Sequence, residues 1–249
     1  MVYQFFSKAT QPAMYVKSET PTALPLYVQI SEVLIREIAS GQLLDGARLP
    51  PERDLAKQHG TTVRTLRKAL AILEEKGLIE SIHGSGNYVR KTPDVESIYS
   101  MFRLELLRGG GLPTAQILAV DEMDKPDGLP EFGQSPRGTR IRRLRFLNQV
   151  PIAVEEIWLD RQAGRVVPED LSDSLYRYYK MRLGFWITHA EDYVSVGQVP
   201  DWAPTDFAPQ PGQTVGFIER ISYAEQLGSV EFSRTWFDPQ RARYVQRLR

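Results

Sequence analysis

No cysteine occurs anywhere in the 249 residues, which excludes disulfides, thiolate metal sites and cysteine nucleophiles. Histidine is scarce as well: of three, only His189 lies beyond residue 93, and it has no second histidine nearby. A metal site is therefore not expected, nor is any catalytic residue or cofactor. No apolar run approaches the ~18–20 residues that a membrane-spanning helix needs. The first twenty residues lack the charged start and unbroken apolar stretch of a signal peptide. From these absences we expect a cytoplasmic protein with no membrane partner. Net charge is missing too, with 31 basic residues against 31 acidic ones.

That balance hides a local excess. Between residues 53 and 68 stand Arg53, Lys57, Arg64, Arg67 and Lys68, opposed by Asp54 alone, whereas beyond residue 93 the count is 19 basic to 22 acidic. A solvated helix face of this length usually carries mixed signs, so the one-signed stretch suits an element that faces nucleic acid. The chain is long for one domain and comfortable for two.

Residues 1–22 show no periodicity and are read as a loose arm. Pro25 opens a helical pattern in which Ile30, Val33, Leu34 and Ile38 share a face, and Gly41 closes it. A short helix over 52–58 turns Leu55 and Ala56 inward, and Gly60 permits a tight turn. Thr62 is a good N-cap for the next helix, whose buried face is Leu66, Ala69, Leu70 and Leu73 and which Gly77 ends. Two short strands over 78–82 and 87–90 flank the small tip His83-Gly84-Ser85-Gly86. Helix, helix, tight turn, helix and hairpin within 23–92 make a winged helix-turn-helix. Residues 93–100 are read as a linker.

From 101 to 249 the pattern is one of strands separated by turn residues: 115–120, 139–147, 152–159, 192–196, 214–224, 230–237 and one near Tyr244. A helix is expected over 174–181. The fold class is α+β, with a mostly antiparallel second domain. Arg143 and Arg145 alternate onto one face of their strand, with Leu144 and Phe146 on the other. A three-residue loop around Asn148-Gln149 would set Arg143 opposite Glu155. Charges gathered inside a small domain need a partner, because unpaired buried charge is costly.

The blocks Pro25-Leu26-Tyr27-Val28-Gln29-Ile30, Gly41-Gln42-Leu43, Leu49-Pro50-Pro51-Glu52-Arg53-Asp54-Leu55-Ala56, Thr62 through Leu70, Glu75 through Ile79 and the wing Gly84 through Val89 follow one another in register. Together they resemble the GntR family of bacterial regulators, which implies double-stranded operator DNA as the partner. A helix entering the major groove needs short polar residues at its first turn and long cations one turn on. Thr62, Arg64, Thr65, Arg67 and Lys68 meet that need. The resemblance implies DNA contacts for Arg53 and Arg67 and for the wing tip His83, Gly84 and Ser85. Two residues depart from the family pattern: Pro51 stands where a capping serine is usual, and Val63 replaces a second DNA-contacting arginine, a role that falls to Arg64.

An aminotransferase-like partner domain would need far more chain than remains, and an all-helical metal-binding one would need several histidines. What remains resembles the HutC subfamily, whose UTRA sensor domain has a chorismate lyase-like fold. The residues that carry this are Arg143-Leu144-Arg145, Pro151 through Glu155, Ser174-Leu175-Tyr176 and the late pair of strands containing Glu231. The resemblance implies that Arg143, Arg145, Ser174 and Tyr176 bind an anionic group, a sugar phosphate or carboxylate metabolite. Glu155 and Glu231 would read hydroxyl or amide groups. It further implies a homodimer and a repressor. The competing readings are a chorismate lyase-like enzyme fused to a DNA-binding module, against which the attached DNA-binding module argues, and a constitutive DNA-binding protein, which would not need the arginine set.

Overall fold

The computed structural model describes residues 25–39, 41–90, 101–171 and 174–247. The expected N-terminal arm and the expected linker lie outside the described residues.

Three helices and a hairpin come first: α1 (Leu26–Ala39), α2 (Glu52–Gln58), α3 (Val63–Glu75), β1 (Ile79–Ile82) and β2 (Gly86–Val89). One apolar cluster holds them, drawing Ile30, Leu34 and Ile38 from α1, Leu55 from α2, and Leu66, Leu70 and Leu73 from α3. These are the positions that helical periodicity selects. The Thr62 hydroxyl accepts from the Thr65 amide at 3.2 Å and caps α3, as expected. Pro51 stands at the corresponding position of α2, with no side-chain cap. The wing strands pair in register from Ile79 with Val89 to Ile82 with Gly86.

The second half is a six-stranded antiparallel sheet in the order β4-β5-β6-β9-β8-β7. Its strands are β4 (Pro113–Asp124), β5 (Arg137–Leu147), β6 (Val150–Asp160), β7 (Ile187–Gln198), β8 (Thr214–Ala224) and β9 (Gly228–Phe237). A two-stranded ribbon of β3 (Leu104–Leu106) and β10 (Ala242–Tyr244) stands beside it. On one face of the sheet packs α4 (Leu175–Tyr178), continued by a π-turn over Tyr179–Leu183. On the other, Val199 and Phe207 of the β7–β8 connection cover Leu144, Val154 and Trp236.

Two expectations need correcting, and one strand, β3, has too few residues for any periodicity to announce it. The helix after Ser174 widens into a π-turn midway and ends at Leu183 instead of continuing as an α-helix to 181. The β5–β6 loop has two residues, not three: Asn148 and Gln149 both take positive φ, 49° and 64°, the conformation of a type I′ hairpin turn. A bulge after Arg145 then shifts the register by one, and Arg143 still faces Glu155.

The two halves touch through α1. Arg36 and Glu37 are only 4% and 8% exposed, although Arg36 lies off the apolar stripe of its helix and Glu37 puts a carboxylate within it. The Arg36 guanidinium stands over the Phe102 ring, 5.6 Å from its centroid. A cavity between α1 and the β3–β10 ribbon is lined by Arg36, Phe102, Arg103, Glu105 and Arg247. Arg247 clamps Glu105 there with bonds of 2.7 and 3.0 Å.

Candidate functional site

On the first half, the residues expected to meet DNA are open to solvent. Arg53, Thr62, Arg64, Arg67, Lys68, His83 and Gly84 are exposed, and Thr65 and Ser85 partly so. Arg67 donates through Nε to Glu52 at 2.8 Å while keeping 69% of its side chain in solvent. Such an exposed ion pair is worth about 0–1 kcal/mol, so it does not compete seriously with a phosphate or guanine. Lys68 stands 5.6 Å from the Tyr27 ring centroid. At the wing, Gly84 takes φ +73°, a left-handed turn that glycine adopts without strain. The Ser85 and Tyr88 hydroxyls bond at 2.7 Å, which stiffens the tip from behind. Arg48 was missed by the sequence reading: it pairs across to Tyr88 and lies against Gly86, beside the wing.

The second half concentrates polar groups in a cavity between the sheet and α4, of about 480 Å³ counted out to its open mouth. Its floor is set by register. Arg143 pairs with Glu155 across β5–β6, Ser222 with Glu231 across β8–β9, and Asp192 with Arg220 across β7–β8. All six expected residues line it: Arg143, Arg145, Glu155, Ser174, Tyr176 and Glu231.

Their bonding separates two groups. Arg143 donates to Glu155 from Nε at 3.1 Å and Nη2 at 2.7 Å, and Arg145 donates to the same Oε2 atom at 3.2 Å. Two guanidiniums, 4% and 6% exposed, thus share one carboxylate. Burial alone would push the Glu155 carboxyl up, but Arg145 and Arg143 together hold it down at about 2. Glu155 is charged at any physiological pH. The Nη1 donor of Arg143 is buried and has no hydrogen-bond partner among the described residues.

Glu231 belongs to the other group. Tyr179 donates to it at 2.6 Å and Ser222 at 2.9 Å, with the Tyr176 hydroxyl at 3.4 Å. Burial raises its pKa, and burial with Glu231 nearby raises Tyr176 to about 12. Tyr176 therefore stays a neutral hydroxyl. The Ser174 hydroxyl caps α4, accepting from the Arg177 amide at 3.3 Å.

The sequence reading missed Arg220 and Ser233, which also line the cavity. Arg220 is held bidentately by Asp192 at 2.5 and 2.7 Å. The signal was present: with the strand 214–224 read correctly, alternation puts Ile218, Arg220 and Ser222 on one face. What was lacking was the pairing of β9 with β6, which carries β8 to the side of the arginine strands. His189 is exposed and stacks flat on Tyr223, with ring centroids 4.3 Å apart.

Residues 26–89 match the model of bacterial regulatory proteins of the gntR family, and residues 108–243 match the UTRA domain. The chain is also 51% identical to the HTH-type transcriptional regulator SmoD of Agrobacterium fabrum, over 92% of this chain and 99% of that protein. The protein belongs to the GntR family of bacterial transcriptional regulators. It carries a UTRA effector domain behind its winged helix-turn-helix. A second relative is the HTH-type transcriptional repressor NagR of Bacillus subtilis, 24% identical over 93% of this chain and 97% of its own. Among solved structures, the possible transcriptional regulator YydK of Bacillus subtilis superposes with a TM-score of 0.50 at 21% identity, covering 91% of this chain and all of that one. This GntR-type chain is thus a regulator and not an enzyme, its relatives being transcription regulators. No described helix is long and apolar enough to cross a membrane.

Proposed function

We propose that this GntR-family protein is a homodimeric repressor of the HutC type, released from its operator by a small anionic metabolite, a sugar phosphate or a carboxylate. The observation that carries the effector's charge is the shared carboxylate: Arg143 and Arg145 meet on the single carboxylate of Glu155, and a buried Arg143 donor is left over. Guanidinium pairs suit planar or tetrahedral anions. In this reading Ser174 and Tyr176 add hydroxyl donors to the anion, Glu155 orients the arginines, and Glu231 with its three hydroxyls reads the uncharged part of the ligand.

On the DNA side, Thr62, Arg64, Thr65, Arg67 and Lys68 enter the major groove from the start of α3. Arg53 fixes α2 to the backbone, and His83, Gly84 and Ser85 approach through the wing. One short recognition helix covers too few base pairs for specificity, so the operator is an inverted repeat read by a two-fold dimer. The working division of the chain is an arm over 1–22, a DNA-binding domain over 23–92, a linker over 93–100 and an effector and dimerisation domain over 101–249, acting in the cytoplasm. The name of NagR supports the repressor reading.

Calorimetry with a panel of sugar phosphates and carboxylates tests this, with and without an operator selected from random duplexes. Coupling is reciprocal, so DNA must weaken effector binding by the factor with which effector weakens DNA binding, typically about 5- to 150-fold. Arg143→Ala should abolish effector binding and leave operator affinity intact. Full effector affinity in that variant would remove the arginines from the site, and a monomeric mass for the full chain would overturn the dimer.

A further inference from the structure

Phe102 is the residue that the two cavities have in common: it lines both the arginine cavity under α4 and the cavity between α1 and the β3–β10 ribbon. Its ring carries two cations. The Arg145 guanidinium carbon lies 4.6 Å from the ring centroid and that of Arg36 lies 5.6 Å away. Both arginines are buried, and desolvation strengthens a cation–π contact. One cation belongs to the cavity floor, where it reaches Glu155, and the other to a helix of the DNA-binding head.

We infer that Phe102 is a positioning residue that couples Arg145 in the effector cavity to Arg36 in α1, so that cavity occupancy sets how firmly the head is held. The geometry gives the reason. Arg145 is bonded to Glu155 at 3.2 Å, and an anion added beside that carboxylate draws the guanidinium off its present line over the ring. The ring follows the cation or loses it, and either change alters the surface offered to Arg36. The Arg247–Glu105 clamp, which joins two residues of the second half, lines the interdomain cavity beside Arg36, and neither of its residues lines the arginine cavity.

The direction of signalling rests on reading the arginine cavity as the effector site, but the chain of contacts does not. The test therefore contains no effector: hydrogen exchange of the α1 amides in the full-length protein, for wild type, Phe102→Leu, Phe102→Tyr, Arg145→Gln and the double variant Phe102→Leu/Arg145→Gln. Local opening of a helix is read directly by such exchange. Loss of one cation–π contact should speed exchange around Arg36 to Ala39 about 2- to 5-fold. Phe102→Leu and Arg145→Gln should each do so, Phe102→Tyr should match wild type, and the double variant should be no faster than Phe102→Leu. A purely structural Phe102 would make the two losses multiply. Multiplying effects, or α1 exchange unchanged by Arg145→Gln, would overturn the coupling, and the second outcome stands even if the leucine variant fails to fold. Because no arm uses a ligand, a failed effector screen counts against the site and leaves this result standing.

Discussion

Arg53, Arg64 and Arg67 of the DNA-binding head stand in solvent, whereas Arg143 and Arg145 of the effector domain are almost withdrawn from it. The contrast follows from what each half must recognise. A duplex offers a row of charges to a broad face, and binding there gains from releasing condensed counterions. The anionic effector proposed above would offer one charge to a largely buried cavity, where a low dielectric makes each contact stronger and each unpaired group costly. The same side chain can therefore be mutated cheaply for stability in one half and not in the other.

The sharpest way to break that contrast is to remove the acidic partner in each half. Glu155→Leu leaves two buried guanidiniums without their shared carboxylate, and breaking a buried pair typically costs about 3–5 kcal/mol. Glu52→Ala removes the exposed partner of Arg67 and should cost under about 1 kcal/mol. Urea unfolding of both variants at neutral pH measures this. Equal losses would mean that the cavity arginines are far more hydrated than their burial indicates. Inorganic phosphate should restore part of the stability of Glu155→Leu, because an anion can take the place of the lost carboxylate.

Two buried acids extend the comparison to pH, with opposite signs. Glu155 is held at about 2 by Arg145 and Arg143 against the pull of burial. Its contribution is present above its ordinary 4.5 and is lost as pH falls through 2. Glu37, at the end of α1, is raised to about 7 because burial outweighs the attraction of Arg36 and Arg247, with Glu105 repelling it further. Its contribution is present below 4.5 and is lost as pH rises through 7. Glu37→Gln should therefore gain stability over wild type at pH 8, by at most about 3 kcal/mol at 1.36 kcal/mol per pKa unit. A stability profile between pH 4.5 and 8 that is no flatter in Glu37→Gln than in wild type would place that carboxyl in water.

DNA contacts should divide in the same quantitative way. If Arg67 reads a guanine, Arg67→Ala costs roughly 1–3 kcal/mol and relaxes one operator position. Lys68→Ala, as a phosphate contact, weakens all sequences alike and lowers the salt slope by about 1. Binding to selected and scrambled duplexes at several salt concentrations separates the two. A uniform loss for Arg67→Ala would reassign it to the backbone.

How legible these halves are in the residues differs for a physical reason. In the head, contacts are local, so helical spacing alone names Ile30, Leu34, Leu66 and Leu70, and capping chemistry names Thr62. In the sheet, what alternation tells is only which residues share a face. Arg143 and Glu155 are joined because one hairpin connects their strands. Arg220 goes unread because its strand reaches the arginine cavity only through the non-sequential pairing of β9 with β6, and nothing in the residues 214–224 announces that pairing. Phe102 is invisible for the same reason: its two cations come from residues 36 and 145. The two-residue turn is misjudged because Asn148-Gln149 lacks the glycine that usually marks positive φ, and the bulge beside it compensates for the error.

The smallest effect compares the two helices of the helix-turn-helix itself. The first turn of α3 has a side-chain acceptor, the Thr62 hydroxyl at 3.2 Å from the Thr65 amide and 3.0 Å from the Thr65 hydroxyl. The first turn of α2 has none, since Pro51 supplies a fixed φ of −51° in place of an acceptor. Thr62→Ala should then cost about 1 kcal/mol, the usual worth of an N-cap. Pro51→Ser gains a cap of similar worth, but it frees the unfolded chain at a position where proline had restricted it, an effect of about 0.4–1 kcal/mol in the other direction. The two changes at Pro51 nearly cancel, so its variant should unfold within about 0.5 kcal/mol of wild type while Thr62→Ala unfolds earlier. Urea unfolding of the three proteins decides the matter. A Pro51→Ser protein more stable by a full kcal/mol would show that the missing cap on α2 is a weakness the proline does not offset.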